Sequence, residues 1–167
     1  MRNFRRISAE ELENVFHLFD KDWTLITAGD ADSVNTMTAS WGGMGVLWNR
    51  PVAFCFIRPQ RHTFTLIEAN EHLSLSFFDE GYRAALRLCG SKSGRDIDKF
   101  QAASLTPAFE DGTPFVSEAR LVLLCKKLYA DDLKESAFVL PELLENYKAG
   151  DFHRMYICEI EKIYLRD

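Results

Sequence analysis

Two short stretches carry the side chains with the most chemistry. They are Asn35-Thr36-Met37-Thr38-Ala39-Ser40-Trp41 and Arg58-Pro59-Gln60-Arg61-His62-Thr63. The first is small and rich in hydroxyls, so a ligand can come close to its backbone. Thr36, Thr38 and Ser40 alternate along it and share one face, while Met37, Ala39 and Trp41 share the other. The second stretch offers two guanidinium groups and a hydroxyl at a strand-to-helix junction. A guanidinium gives two parallel charge-assisted bonds to a phosphate, and the free N–H groups at a helix start add to that charge. The pair implies an anion site beside a flat-ring site. The competing readings are surface ion pairs for Arg58 and Arg61 and an ordinary half-exposed strand for 35–41.

Further cations and hydroxyls follow in Ser91-Lys92-Ser93-Gly94-Arg95. Gly90-Ser-Lys-Ser-Gly-Arg95 does not match GxxxxGK[ST], and no GxGxxG follows a strand, so neither nucleotide loop is present. His153 opens the last apolar stretch and is read either as a ligand contact or as a hydrogen-bonded structural group.

The elements that must position these groups are mostly strands. Residues 8–20 read as a leading helix with a capping box from Ser8 to Glu11. Residues 23–28 and 34–41 form a hairpin around the turn 29–33. Residues 52–57 are apolar without alternation, as in a strand buried on both faces. Pro59 delays the next helix, 63–69, until after Arg61, with Asn70 closing it. Residues 72–78 alternate as a strand with one polar face. A helix at 82–88 is stopped by Cys89-Gly90, and Asp96 caps a short helix through Phe100. Residues 115–128 give one or two strands, 141–148 a helix and 153–165 a final strand. Trp48 reads as a packing residue. Strands in hairpin order with few helices predict a mainly β fold, a closed or split β-barrel with flanking helices.

A chain of 167 residues fits one domain, and its 47% apolar and 27% charged content is that of a globular protein. Thirteen Phe point to an aromatic-rich core or subunit contact. With 20 basic and 25 acidic side chains the net charge is -5, which disfavours nucleic acid and anionic membranes as partners. Cys55, Cys89, Cys125 and Cys158 lack CxxC spacing and read as reduced, buried thiols. No stretch has the length of a membrane helix, and the first residues lack the apolar run of a signal peptide, so the expected location is cytoplasmic.

From Trp23 to Tyr164 the chain resembles the flavin reductase-like family of FMN-binding split barrels, which includes flavoredoxin-type proteins. The likeness rests on Asn35-Thr-Met-Thr-Ala-Ser-Trp41, Arg58-Pro-Gln-Arg-His-Thr63, Gly90-Ser-Lys-Ser-Gly-Arg-Asp96 with Asp98-Lys-Phe100, and His153-Arg-Met-Tyr-Ile-Cys-Glu159. Cys158 departs from the pattern, standing where glycine is frequent. The resemblance implies a homodimer with FMN near the subunit interface. Its phosphate would lie at Arg58, Arg61 and Thr63 and its ring along Thr38 to Trp41, with Ser91, Lys92, Ser93 and Arg95 near the cofactor and His153 approaching the ring. It also implies an oxidoreductase passing electrons from NADH or NADPH through FMN to an acceptor. The alternatives are an FMN-binding electron carrier with protein partners, or a non-flavin ligand module on a similar barrel.

Overall fold

The computed structural model describes residues 15–166. Its first hairpin follows from local turn chemistry. Gly29 has φ 122°, and a Cβ there would meet the Ser33 carbonyl oxygen at 1.9 Å, so only glycine serves. Asp30 Oδ1 accepts the N–H groups of Asp32 and Ser33 at 3.0 and 2.9 Å and holds the turn closed. The turn joins β1 (Thr24–Gly29) to β2 (Val34–Ala39), antiparallel, with Thr24 opposite Ala39.

Seven strands form one antiparallel sheet in the order β2-β1-β5-β8-β9-β4-β3. The others are β3 (Gly42–Leu47), β4 (Arg50–Ile57), β5 (His72–Phe77), β8 (Leu121–Asp132) and β9 (Arg154–Leu165). A separate ribbon pairs β6 (Pro107–Glu110) with β7 (Thr113–Val116). Strands far apart in the sheet order share one core: Met37 and Ala39 of β2 and Ala53, Cys55 and Ile57 of β4 join Leu73, Leu75 and Phe77 of β5. A flat sheet cannot bring those side chains together, so this one coils until its inner face closes on itself. Register shifts in β8 at Leu124/Cys125 and Lys127/Tyr129 contribute bending.

The outer face of β1 and β8 packs under helices. Leu25, Val122 and Leu124 meet Leu86, Cys89 and Phe100 in a second buried cluster. Those helices are α3 (Arg83–Ser91) and α4 (Lys99–Ala103), preceded by α1 (Val15–His17), which runs into a π-helical turn at Leu18–Asp22, and by α2 (His62–Ala69).

Several expectations are met and several are corrected. The hairpin and the strands at 52–57, 72–78 and 153–165 are present. Helix α2 begins at His62, just after Arg61, as the proline requires. The capping box at Ser8 and Glu11 lies outside the described residues. Helix α3 runs through Cys89 and Gly90 to Ser91, because Cys89 is buried and Gly90 packs beside Thr38, so burial outweighs the glycine. The cap of α4 is Asp98, which accepts the Gln101 N–H at 3.1 Å, rather than Asp96. Residues 141–147 are a 3-10 segment.

Strand β3 was not expected, since Gly42, Gly43 and Gly45 depress strand propensity. Pairing with β4 overrides it, through a two-residue turn in which Trp48 and Asn49 both have positive φ, 51° and 58°. Trp48 is not a core residue; it is 54% exposed at that turn. The polar face of β5 is present but covered. Ser74 donates to the Pro114 carbonyl at 2.7 Å, and Ser76 accepts the Val116 N–H at 3.4 Å, both from the region of β7. All four cysteines are free and buried. No helix among the described residues is long and apolar enough to cross a membrane.

Phe77 is fully buried and meets Phe19 edge-on at 5.6 Å. Phe77→Ala is expected to cost about 3–5 kcal/mol, read as a lower denaturant midpoint with the slope unchanged.

Candidate functional site

The exposed end of the sheet next to β2 is where the sequence-selected residues converge. β2 is an edge strand, so one side of its backbone faces no other strand. Lys99 Nζ donates to the Thr36 carbonyl at 2.9 Å on that free side. By the two-residue period of an antiparallel ladder, the backbone groups of Thr38 share it.

A groove of about 210 Å³ lies at this end, lined by Met37, Thr38, Ala39, Ser40, Trp41, Phe56, Arg58, Arg61 and His153. Eight of these were selected from the sequence, and Phe56 was not. Arg58 and Arg61 come from the β4-to-α2 junction and His153 from the residue just before β9, while Trp41 crosses the His153 ring at 5.4 Å.

The other selected residues lie behind or beside the groove. Asn35 is buried and donates to Thr63 Oγ1 at 2.8 Å, so these two join β2 to α2. Thr36 is fully buried, its hydroxyl donating to the Ile26 carbonyl at 3.2 Å. His62 and Arg95 line an adjoining hollow with Asn35 and Lys99. Ser91 lines a third hollow, which shares Thr38 and Ser40 with the groove. Ser93 Oγ accepts the Arg95 N–H at 3.1 Å, and Lys92 is exposed outside all three hollows. Close approach of the loop to β2 depends on Gly94, where a Cβ would meet the Asn35 amide at 2.3 Å.

The cations divide into two groups. Arg58 is paired with Asp151, donates to the Asn146 carbonyl at 3.1 Å and lies 5.4 Å over the Tyr147 ring. The ion-pair alternative therefore describes its contacts. Arg61 instead donates to the carbonyls of Gly90 and Cys89 at 3.0 and 3.3 Å, and Lys99 donates to the Cys89 carbonyl at 2.8 Å. The carboxyl end of α3 is the negative end of its dipole and draws both cations. Among the described residues, no carboxylate forms a salt bridge with Arg61, Arg95 or Lys99. The three cations are thus held by backbone carbonyls, while Asp32, Asp96 and Asp98 line the hollow of Arg95 and Lys99 without a salt bridge to either. Nδ1 of His62, at the start of α2, is buried without a hydrogen-bond partner among the described residues.

Burial, reinforced by the Arg61 charge, lowers the Lys99 ammonium to about 8. Burial is also the main cause that pushes His153 down to about 4, with Arg58 acting in the same sense and Asp151 against it. His153 is therefore neutral at ordinary pH, and the Tyr147 hydroxyl lies 2.9 Å from its Nδ1. Lys99, Phe56, Tyr147 and Asp151 were missed as site residues. Lys99 falls within the Asp98-Lys-Phe100 segment that carries the family resemblance, but its contacts with the Thr36 and Cys89 carbonyls are tertiary and the sequence does not signal them.

The His153 shift fixes a sign. Between about pH 4 and the ordinary histidine value of roughly 6.5, the unfolded chain binds a proton that the folded chain refuses, so stability rises with pH. Acidification through that window is expected to destabilise the wild type more steeply than His153→Gln, measured as denaturation midpoints at each pH. Equal slopes would remove His153 as a cause.

Residues 16–167 match the family model described as flavin reductase like domain. No curated protein gives a match. Among solved structures, the FMN-binding protein from Thermus thermophilus with bound p-hydroxybenzaldehyde aligns with a TM-score of 0.71 at 21% identity, over 100% of this chain and 83% of that one. Flavoredoxin from Methanosarcina acetivorans aligns at 0.69 and 21%, over 98% and 77%. Flavoredoxin of Desulfovibrio vulgaris (Miyazaki F) aligns at 0.70 and 20%, over 98% and 78%. The coiled antiparallel sheet is thus the split β-barrel expected from the sequence, and the chain belongs to the flavin reductase-like domain family.

Proposed function

We propose that the protein is an FMN-binding oxidoreductase that takes electrons from NADH or NADPH and delivers them to an acceptor. The observation that carries this reading is the set of cations without carboxylate partners, Arg61, Arg95 and Lys99, beside an edge strand of small residues. That set fits a phosphate: Arg61 is a planar fork, Lys99 a point charge, and the start of α2 adds N–H groups. Arg58, engaged with Asp151 and Asn146, organises the segment that reaches His153 rather than serving the anion directly. The groove supplies the ring site, with backbone groups near Thr38 for the polar edge and Trp41 and His153 at its mouth. The names of the aligned structures, an FMN-binding protein and two flavoredoxins, support the same cofactor.

When bound, FMN supplies the redox chemistry itself, accepting a hydride and releasing electrons. The chain's residues bind the phosphate, orient the ring and exclude water from one side. No side-chain nucleophile is needed. The groove of about 210 Å³ takes the ring, the adjoining hollow of about 720 Å³ lined by Arg95 and Lys99 takes the phosphate end, and a homodimer in which a second copy covers the open side is part of this reading. Trp41, 49% exposed beside the groove, also suits a second reading, an FMN-binding carrier that exchanges electrons with protein partners.

Added FMN is expected to bind with a perturbed visible spectrum and to bleach on anaerobic addition of NADH or NADPH. Bleaching by a ferredoxin-like donor but not by nicotinamide would select the carrier, and protein that binds no FMN would defeat both readings. Arg61→Ala is expected to weaken FMN binding by about 10- to 100-fold, the scale of one lost charge-assisted contact. Unchanged affinity in that variant would remove Arg61 from the phosphate site.

A further inference from the structure

Tyr147 has no place in the sequence motifs, yet the structure holds it tightly. It ends the 3-10 segment Pro141–Tyr147 and is only 8% exposed. Phe152 stacks on its ring at 4.8 Å with 11° between planes, Phe138 packs at 5.6 Å, and the Arg58 guanidinium lies over the ring at 5.4 Å. A ring fixed on this many sides points its hydroxyl one way, toward His153 Nδ1 at 2.9 Å.

The direction of the proton in that bond follows from satisfaction. A phenol has one O–H to donate, and burying it without an acceptor is costly. Among the described residues, His153 Nδ1 is the only hydrogen-bond partner of the Tyr147 hydroxyl. If Nδ1 carried the proton, the bond would run from His153 to Tyr147 and leave the phenol hydrogen unplaced. Burial also raises the Tyr147 hydroxyl above its ordinary range, so it keeps its proton. The charged groups facing His153 are Arg58, which disfavours a second proton on the ring, and Asp151, which is held by Arg58 and Gln60.

We propose that Tyr147 is a positioning residue whose hydroxyl donates to His153 Nδ1, confining the histidine proton to Nε2 and making His153 a fixed, neutral N–H donor to the groove. The ligand chemistry that fits such a donor is a heterocycle with a carbonyl oxygen or an unprotonated ring nitrogen at its edge. This rests on the reading of the groove as a flavin site and deepens it, because it assigns the donor and the residue that sets it. Trp41 limits how the imidazole can turn, crossing its plane at 51°.

The test begins on flavin-free protein, with the two imidazole nitrogens of His153 distinguished by long-range proton–nitrogen NMR. The expected result is a protonated Nε2 and a bare Nδ1 in the wild type, with the other tautomer gaining population in Tyr147→Phe. A wild-type proton on Nδ1 overturns the proposal. FMN affinity is then measured in a double-mutant cycle. Tyr147→Phe is expected to weaken binding about fivefold in the wild-type background, the scale of one neutral hydrogen bond. In the His153→Gln background it should change almost nothing, since Tyr147 acts only through His153. An equal loss in both backgrounds makes Tyr147 a merely structural residue and overturns the proposal. If Tyr147→Phe fails to fold, the wild-type tautomer decides alone. Absence of FMN binding in the wild type defeats the flavin reading instead, and the tautomer experiment separates that outcome from a failure of this inference.

Discussion

The carboxyl end of α3 is the contact on which the site depends. Its last carbonyls, Cys89 and Gly90, face the start of α2 and the edge of β2, and both receive cations. Lys99 bridges the Cys89 carbonyl to the Thr36 carbonyl, and Arg61 ties the junction after β4 to the same helix end. One helix terminus thereby fixes three elements against the edge strand. The two charges are held by backbone carbonyls rather than by carboxylates, which is what the proposed phosphate site draws on. Ion pairs with Asp or Glu would have given similar rigidity and cancelled the field.

The same economy of contacts explains the division between Arg58 and Arg61. They are three residues apart across a tight turn, closed by the Arg61 N–H donating to the Arg58 carbonyl at 3.0 Å with Pro59 at its second position, and α2 begins only after Arg61. Arg58 is thus left on the side of the 141–153 segment, where Asp151, Asn146 and Tyr147 collect around it. Arg61 turns toward α3. One guanidinium anchors a strap of aromatic residues carrying Tyr147 to His153, and the other serves the cationic end. The groove lies between them, lined by both.

The barrel makes this arrangement possible because its sheet ends at β2. An inner strand would have had both sides of its backbone taken by neighbours, leaving nothing for Lys99 or for a ligand. Outer-face packing of Leu86 and Cys89 in one cluster with Leu25 and Val122 sets α3 down beside Thr38, and Gly90 and Gly94 allow the approach without side-chain collision.

Much of this was legible in the residues themselves. The turn at Gly29 to Ser33, the delay of α2 by Pro59, and the small-residue strand beside paired arginines follow from backbone sterics and side-chain chemistry, which act over a few positions. Four ordered motifs also named the family. The sequence could not show that Asp151 takes Arg58, that Lys99 is the second cation at the helix end, or that glycine-rich 42–47 becomes a strand. It gave no hint of Tyr147 against His153 either. Each of these is a contact between distant stretches of chain, or a local preference overruled by such a contact. Local rules determined which residues could do chemistry; only the closing of the sheet decided which of them meet, because burial and charge compensation are settled by neighbours in space.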